Sequence, residues 1–385
     1  MTTLLGDNIV SALGFTTDDN YRNVKKGVSG LTPFTDRFGL PEPFVAAAID
    51  DEALEQAYAM LQIPSSKVYT KLEKAAILSI SQALRNTGID PADERVLFIL
   101  STTKGNVFLL DSADQVSAYE PEQVYLWRSA ELIARHFGNA NTPWVISNAC
   151  ISGAAALIAA QRALQAKQYD YVIVTGTDML SRFIVSGFQS FKALSHERCK
   201  PFDVNRTGLN VGEAAATIIL TEKEDADMQP GDVVLTKGAV RNDANHISGP
   251  SRTGEGAYLA LKNILEGTNN NELAFVNAHG TATPYNDEME AIAITRASLH
   301  YRPINSLKGY FGHTLGAAGV LESIISTHAL RDGIALKTCG FESLGVSNPL
   351  PVVTQTQPVE GHRCINMLSG FGGCNAALLY TLVKP

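Results

Sequence analysis

A cysteine at position 150 stands where a thiol can act as a nucleophile. It lies in the segment SNACISGAAA, just after an apolar run and at the start of a predicted Ala-rich helix. The positive end of a helix and its free backbone N–H groups favour a thiolate, and the same N–H groups can bind an oxyanion. A lone cysteine is more often a buried core residue, so the neighbouring motifs decide how Cys150 is interpreted.

Two histidines lie in turns that are rich in Gly and Thr. His279, in NAHGTATP, follows an apolar run, and loops at strand ends carry ligands in α/β folds. His313, in KGYFGHTLGAAG, precedes a predicted helix whose N-terminus disfavours an imidazolium, so we expect a neutral ring that donates a hydrogen bond. Neither histidine has a cysteine or carboxylate at metal-ligand spacing, which argues against a metal site.

A Gly-rich segment, SGFGGCN, surrounds the aromatic ring of Phe371. Its glycines can adopt positive φ angles, and taken alone the segment predicts only a turn between two apolar runs. Its significance lies in its combination with Cys150, His279 and His313.

Short apolar runs alternate with longer helical patterns through most of the chain. The predicted strands are 95–100, 169–174, 273–276 and 377–383. The predicted helices are 71–85, 151–167, 256–265, 288–297 and 317–330. This alternation predicts an α/β fold with largely parallel sheets, in which the candidate residues lie at strand ends and helix starts.

Two sequence echoes indicate an internal duplication. The pattern Cys150-x-x-Gly-Ala-Ala recurs as His313-x-x-Gly-Ala-Ala, and Gly212-x-x-Ala-Ala recurs as Gly373-x-x-Ala-Ala. Both pairs are separated by nearly the same number of residues. The alternative to chance is two copies of one α/β unit packed together, with halves at 1–230 and 231–385.

Composition excludes several classes of protein. The 385 residues carry a net charge of −8 without a dense Lys/Arg block, which argues against nucleic-acid binding. The 5 cysteines are scattered without a close pair, so a disulfide framework and a zinc site are disfavoured and reduced thiols are expected. No apolar run approaches the roughly 18 residues that span a bilayer, and the N-terminus lacks signal-peptide features. We therefore expect a cytoplasmic protein without a membrane span.

The motifs NACISGAAA, NAHGTATP, LKGYFGHTLGAAG and SGFGGCN, in this order, resemble those of the elongating β-ketoacyl-[acyl-carrier-protein] synthases of the thiolase-like superfamily. The segment at 193–215, with ALS, KPFD and RTGLNVGEAA, is also similar, so the resemblance covers most of the chain. It implies a duplicated αβαβα five-layer fold, with the nucleophilic cysteine in the first half and both catalytic histidines in the second. It also implies a homodimer, or a heterodimer with a related synthase subunit.

The resemblance implies a decarboxylative Claisen condensation. An acyl chain bound to Cys150 would be joined to malonyl-acyl carrier protein to give 3-oxoacyl-acyl carrier protein, in fatty acid or related polyene or polyketide biosynthesis. His279 and His313 would donate hydrogen bonds to the malonyl thioester carbonyl. No cofactor or metal is implied, because the substrates are carried on the 4′-phosphopantetheine of acyl carrier protein. Chain length, pathway and the choice between carrier protein and coenzyme A as donor remain open.

Further roles follow from the same resemblance. The backbone N–H groups of Cys150 and Phe371 would form the oxyanion hole, and the Phe371 ring would gate the acyl pocket. Thr281 and Thr283 would hold the phosphopantetheine arm.

Five charged residues are assigned supporting roles on the same basis. Lys308 and Glu322 match a buried pair beside the family's active site. Lys67, Lys71 and Lys200 stand at positions where the acidic carrier protein would dock, although each is equally well explained as an ordinary solvated lysine.

Two other functions remain open. A subunit like the chain length factor would shape a tunnel for a sister synthase, but such subunits typically lose the nucleophile that this chain keeps. A thiolase acting on acyl-coenzyme A shares the Gly-His turn, and Cys374 would be its second cysteine, whereas the His-Gly-Thr sequence at 279–281 speaks against it. The chain also departs from the family at Phe311, Ser369 and Cys374, where Thr, Phe and Thr are common.

Overall fold

The computed structural model describes residues 1–40, 42–62, 67–111, 118–246 and 249–384. The strands are β1 (Thr2–Ser11), β2 (Thr32–Phe34), β3 (Phe44–Ala47), β4 (Val96–Ser101), β5 (Trp144–Ile146), β6 (Tyr171–Asp178), β7 (Val211–Gly212), β8 (Ala214–Glu222), β9 (Val233–Asn242), β10 (Leu273–Asn277), β11 (Ile304–Asn305), β12 (Ile334–Ala335), β13 (Gln357–Pro358), β14 (Arg363–Gly370) and β15 (Cys374–Leu382). The α-helices are α1 (Thr17–Lys25), α2 (Asp51–Ala59), α3 (Lys71–Ala83), α4 (Leu126–His136), α5 (Ser152–Gln165), α6 (Arg182–Ser190), α7 (Glu255–Leu265), α8 (Pro284–Arg296), α9 (Lys308–Phe311) and α10 (Ala318–Arg331). Within these ranges, none of the helices has the length and apolar character needed to cross a membrane.

The predicted strands and helices are confirmed, with ends that differ by a few residues. The four apolar runs form β4, β6, β10 and β15, and the five helical patterns form α3, α5, α7, α8 and α10. Local chemistry explains the sharp start of α3. The Thr70 hydroxyl accepts the Glu73 N–H and the Glu73 carboxylate accepts the Thr70 N–H, which is a capping box.

The main sheet of the described residues has ten strands in the order β11-β10-β14-β15-β9-β1-β8-β6-β4-β5. Each five-stranded half has parallel outer pairs and antiparallel inner pairs, and the halves meet where Thr3 of β1 pairs with Val234 of β9. The expectation of largely parallel sheets was therefore wrong for the inner strands. A connection as short as residues 371–373, between β14 and β15, can only join antiparallel neighbours.

Buried side chains divide the molecule into five layers. Successive strand residues face opposite sides of a sheet, so Leu97 of β4 packs toward α5 and α10, whereas Val96 and Phe98 pack toward α3 and α4. In the second half, Leu378 of β15 faces the same central helices and Leu379 faces α7 and α8. The two halves of the main sheet thus form separate layers, and the order helix, sheet, helix, sheet, helix is the αβαβα arrangement that the family resemblance implied.

The two central helices approach each other at their N-terminal ends. A Cβ atom at Gly319 would lie 2.3 Å from the Ala154 nitrogen, and one at Gly153 would lie 2.9 Å from the Val320 nitrogen, so neither position has room for a side chain. Gly153, which belongs to the sequence echo, and Gly319 thus permit the contact. It brings together the turn that carries Cys150 and the turn that carries His313.

The two halves of the sheet fall on either side of the predicted domain boundary. Strands β1 to β8 precede residue 230 and strands β9 to β15 follow it. The division into 1–230 and 231–385 as separate domains stays a prediction.

Candidate active site

A cavity of about 450 Å³ lies where the turns before α5 and α10 meet. Residues from both halves of the chain line it, among them Cys150, Thr281, Thr283, His279, His313 and Phe371. These six positions were all singled out from the sequence. Across the described ranges, no group of three or more His, Cys, Asp or Glu side chains is placed to hold a metal ion.

Cys150 occupies the turn immediately before α5 and is only 7% exposed. The preceding residue, Ala149, has a φ of 45°, which turns the chain sharply at the end of β5. Burial, with a contribution from Cys374, raises the pKa of the Cys150 thiol to about 12, against the Lys308 ammonium and the Phe371 N–H. The thiolate expected from the helix N-terminus is therefore not the resting state, because the loss of hydration outweighs those favourable interactions.

The Gly-rich turn at 370–373 packs against the Cys150 thiol. The Phe371 N–H donates to this thiol, and the Gly-rich turn approaches so closely that a Cβ at Gly370 would lie 3.1 Å from the Cys150 nitrogen. The Phe371 amide therefore lies beside the sulfur and the Gly-rich turn beside the Cys150 backbone, and the oxyanion-hole role of the two amides stays a prediction. Two such donors are the arrangement that stabilises a tetrahedral oxyanion.

The Phe371 ring lies at the mouth of the cavity and is 37% exposed. Its centroid is 5.7 Å from that of Phe188 and 5.3 Å from that of Phe191, so three aromatic rings meet there. Phe191 and the adjacent Lys192 are exposed residues that line the cavity, and the sequence analysis missed both. The gating role of Phe371 stays a prediction.

The His279 and His313 rings lie edge to face, with centroids 4.9 Å apart. Lys308 Nζ lies 3.3 Å from His279 Nδ1, and the Leu315 N–H donates to His313 Nδ1 over 3.3 Å. Because each Nδ1 accepts a hydrogen bond, the neutral ring carries its proton on Nε2.

Burial and then the Lys308 charge lower the pKa of both imidazoles well below the usual range. The neutral donor expected for His313 is confirmed, although burial rather than a helix N-terminus is the largest cause. His279 has the same character and gains a further downward effect from His313. The site therefore holds two fixed neutral N–H donors side by side.

Lys308 and Glu322 form a completely buried ion pair behind the histidines. Asn277 donates to the same carboxylate over 3.2 Å and to Asn366 over 2.8 Å. The pair thereby links His279 to Asn277 and Asn366, two buried polar residues of the second half. A buried charge of this kind is tolerated only with its partner present.

Replacing Lys308 with Met is expected to lower the free energy of unfolding by about 3–5 kcal/mol, because it leaves the Glu322 carboxylate buried without a cation. Urea denaturation measures this loss. The double variant with Glu322→Gln is expected to recover much of it. If the free energy of unfolding of Lys308→Met lies within about 1 kcal/mol of that of the unmodified protein, the expected penalty for the unpaired Glu322 carboxylate is absent.

The loop after β10 is held by acidic residues of α8 that the sequence analysis missed. Glu290 accepts the N–H groups of His279 and Gly280, each over 2.7 Å, and Asp287 accepts that of Ala282 over 3.2 Å. Burial, with the nearby Asp287, raises the pKa of Glu290 to about 8. Their three-residue spacing at the start of a predicted helix was the available signal.

Thr281 and Thr283 project from this loop into the cavity, and their hydroxyl oxygens are 2.9 Å apart. Two neighbouring hydroxyls on a fixed loop can bind amide or hydroxyl groups of an entering chain. Their assignment to the phosphopantetheine arm stays a prediction.

Residues 4–226 match the family model for the beta-ketoacyl synthase N-terminal domain, and residues 213–342 match that for the C-terminal domain. The chain belongs to the beta-ketoacyl synthase family. The resemblance seen in the motifs is thereby confirmed, and with it the assignment to the condensing enzymes of the acyltransferase class.

Individual relatives agree with this assignment. The mitochondrial 3-oxoacyl-[acyl-carrier-protein] synthase of Arabidopsis thaliana is 34% identical over 259 residues, which are 61% of this chain and 55% of the plant protein. The 3-oxoacyl-[acyl-carrier-protein] synthase 2 of Coxiella burnetii is 26% identical over 99% of this chain and 98% of its own length. A chain from the complex of a ketosynthase with its chain length factor from Xenorhabdus doucetiae superimposes with a TM-score of 0.87 at 25% identity, covering 99% and 98% of the two chains. The thiolase-like fold is thus confirmed.

The thiolase alternative is not favoured for this beta-ketoacyl synthase. Cys374 is not among the residues that line the cavity, and its thiol donates to the Phe371 carbonyl over 3.3 Å. The other two departures from the family pattern have separate surroundings. Phe311 is buried in the core, and the Ser369 hydroxyl donates to Asn375 over 2.8 Å at the cavity wall.

The three lysines predicted to dock a carrier protein have different surroundings in this synthase. Lys71 lies 2.7 Å from the buried Glu213 carboxylate, so its charge is used to hold the fold together. Lys67 lies 2.7 Å from Glu120, and Lys200 is half-buried. Their docking role stays a prediction.

Proposed function

We propose that this synthase joins an acyl chain, held as a thioester on Cys150, to the two-carbon unit of malonyl-acyl carrier protein with loss of carbon dioxide. The observation that carries the proposal is the meeting of a thiol, the neighbouring Phe371 N–H and two neutral imidazoles on one cavity. The product is a 3-oxoacyl chain on the carrier protein, as required in fatty acid biosynthesis or a related polyene or polyketide pathway.

The first step transfers the acyl chain. The Cys150 sulfur forms a bond to the thioester carbonyl carbon, and the carbonyl oxygen gains negative charge beside the Cys150 and Phe371 amides. The bond to the donor sulfur then breaks, and the thiol proton of Cys150 ends on the departing pantetheine thiol. Burial keeps Cys150 as a thiol until a donor arrives, which protects it from unwanted reactions.

The second step forms the new carbon–carbon bond. The Nε2–H groups of His279 and His313 donate to the malonyl thioester oxygen, which becomes an enolate oxygen as the carboxylate leaves as carbon dioxide. The enolate carbon attacks the acyl carbonyl on Cys150. The carbon–sulfur bond breaks, and the released Cys150 thiolate takes up one proton.

The reaction needs no cofactor in this proposal, because both substrates arrive as thioesters of 4′-phosphopantetheine. Thr281 and Thr283 stand at the cavity wall where that arm would pass. Lys192 at the same wall adds positive charge that complements an acidic carrier protein. We assign acyl carrier protein as the partner on this basis.

We further propose that the synthase acts as a homodimer or with a related subunit, as the solved ketosynthase complex with a chain length factor exemplifies. The short edge strand β5 is half-exposed and offers one unpaired side for such contact.

A reducing compartment such as the cytoplasm suits this chain, because its described cysteines are all free thiols.

The proposal is tested by mixing the purified protein with acyl-acyl carrier proteins and acyl-coenzyme A of short, medium and long chain. Intact-protein mass is expected to show a single acyl adduct, and its size identifies the preferred chain. Comparing the two donor types identifies the donor. No adduct with any donor, for a folded protein, would contradict the proposal and favour a tunnel-forming subunit.

A further inference from the structure

Asp178, the last residue of β6, is completely buried and is not among the residues that line the cavity. Its carboxylate accepts the Thr102 hydroxyl over 2.8 Å and the N–H groups of Thr103 and Lys104 over 2.9 and 3.3 Å. All three donors belong to the loop that follows β4. The same carboxylate accepts the Gly316 N–H from the second half of the chain, over 2.7 Å.

Gly316 is held on both sides of its backbone by the first half of the chain. Its N–H donates to Asp178, and its carbonyl accepts the Ser101 hydroxyl over 3.0 Å. A Cβ at this position would lie 2.6 Å from the Thr102 Cα and 2.7 Å from the Asp178 carboxylate. Only glycine allows this approach, so the close contact is built into the sequence.

Gly316, which these contacts hold in place, directly follows Leu315, whose N–H orients the His313 ring. The Leu315 N–H donates to His313 Nδ1, and Leu315 adopts a φ of 52°, a conformation that costs energy for a branched side chain. Such a conformation persists only where its surroundings enforce it. The Asp178 and Ser101 contacts to Gly316 supply that constraint at the next peptide.

We propose that Asp178 is a positioning residue for the condensation reaction: through Gly316 it fixes the Leu315 N–H on His313 Nδ1 and so keeps the His313 Nε2–H aimed into the cavity. The inference rests on the proposed function, which gives His313 its role in decarboxylation. It assigns to the first half of the chain control over a catalytic group of the second half.

Asp178→Asn is the most selective test. Oδ1 accepts only donors from the loop after β4, namely the Thr102 hydroxyl and the N–H groups of Thr103 and Lys104. Oδ2 accepts the Gly316 N–H and shares that of Thr103. The single amide oxygen therefore takes the place of Oδ1, and the NH₂ group faces the Gly316 N–H. Two donors then oppose each other, and the His313 turn loses its anchor while the loop after β4 keeps its own. Cys150 is held by a different turn and is unaffected.

The experiment measures two rates on each purified variant: acylation of Cys150 by an acyl donor that labels the unmodified protein, and carbon dioxide release from malonyl-acyl carrier protein. For Asp178→Asn, carbon dioxide release is expected to fall by at least about tenfold while acylation stays within about twofold. Acylation and release by the unmodified protein test the proposed function separately.

Glu73→Gln is the matched control. Glu73 is also completely buried and is held only by hydrogen-bond donors, from Thr70, Asn106, Gln123 and Ser129, none of which belongs to the His313 turn. This variant is expected to lose stability without changing the ratio of the two rates. An Asp178→Asn protein whose ratio matches that of Glu73→Gln would overturn the proposal.

If Asp178→Asn does not fold, Ser101→Ala tests whether the contacts to Gly316 position His313. It removes only the donor to the Gly316 carbonyl, and it is expected to lower carbon dioxide release severalfold with acylation unchanged. Equal effects on both rates, or no effect on either, would contradict the proposed role of the contacts to Gly316.

Discussion

Replacing Cys150 with Ala is expected to reduce condensation to background, a loss of more than about a thousandfold, because no other thiol lies on the cavity wall to carry the acyl chain. The substitution removes one sulfur atom from a turn that backbone contacts already define, so thermal unfolding should stay close to that of the unmodified protein. Product formation from an acyl donor and malonyl-acyl carrier protein is the measurement.

Cys364→Ala is the matched control for that variant. Cys364 is likewise a buried thiol with a raised pKa, but it lies within β14 in the central core and away from the cavity. Condensation per folded molecule should survive its removal. Undiminished turnover by Cys150→Ala would exclude Cys150 as the nucleophile.

Replacing His313 with Ala is expected to lower carbon dioxide release from malonyl-acyl carrier protein by about a hundred- to a thousandfold, the usual effect of losing one oxyanion donor. Acylation of Cys150 should fall far less, because the Cys150 and Phe371 amides serve that step. The measurement compares the two rates on the same preparation.

His136→Ala provides the comparison for this variant. His136 is another histidine whose pKa burial lowers, but its Nδ1 lies 3.0 Å from the Tyr69 hydroxyl in the outer layer. Its loss should leave the ratio of the two rates unchanged. An equal fall of acylation and decarboxylation in His313→Ala would contradict the separate role given to His313.

The sequence was sufficient for the parts of the fold that depend on local patterns. Buried runs such as β4 and β10 have no polar residue that faces solvent, and the helices between them have clear periodicity. The relative directions of neighbouring strands in the sheet were harder to predict from the sequence. The antiparallel pairing of β8 with β1 and β6 depends on how distant segments are packed, and the alternation of strands and helices does not report it. The antiparallel direction of β15, in contrast, follows from its short connection to β14.

The candidate site was predictable at the residues that line the cavity. Cys150, His279 and His313 stand in compact motifs whose order is characteristic of the family. The carboxylates that hold these turns were harder to predict, because Asp178 and Glu290 act through backbone N–H groups, and in the case of Asp178 the N–H belongs to a distant segment of the chain. No motif distinguishes such a carboxylate from an ordinary surface acid.

Two electrostatic expectations show what burial adds to sequence reasoning. A helix N-terminus suggested an ionised Cys150, whereas the closed surroundings of the thiol raise its pKa to about 12. Lys71 was assigned either to carrier-protein docking or to ordinary solvent exposure; its ammonium lies 2.7 Å from the buried Glu213 carboxylate, and the docking role stays a prediction. In both cases the effect depends on the solvent exposure of the group, which a single sequence does not specify.

The central claim is that an acyl chain on Cys150 is the electrophile for a carbanion made from malonyl-acyl carrier protein. The most direct measurement is a single turnover: isolate the acylated protein, add malonyl-acyl carrier protein, and follow the protein and carrier masses together with carbon dioxide. The account predicts that one equivalent of adduct disappears as one equivalent of 3-oxoacyl carrier protein and one of carbon dioxide form. An adduct that persists while carbon dioxide is released, or that leaves only as free acid, would contradict it.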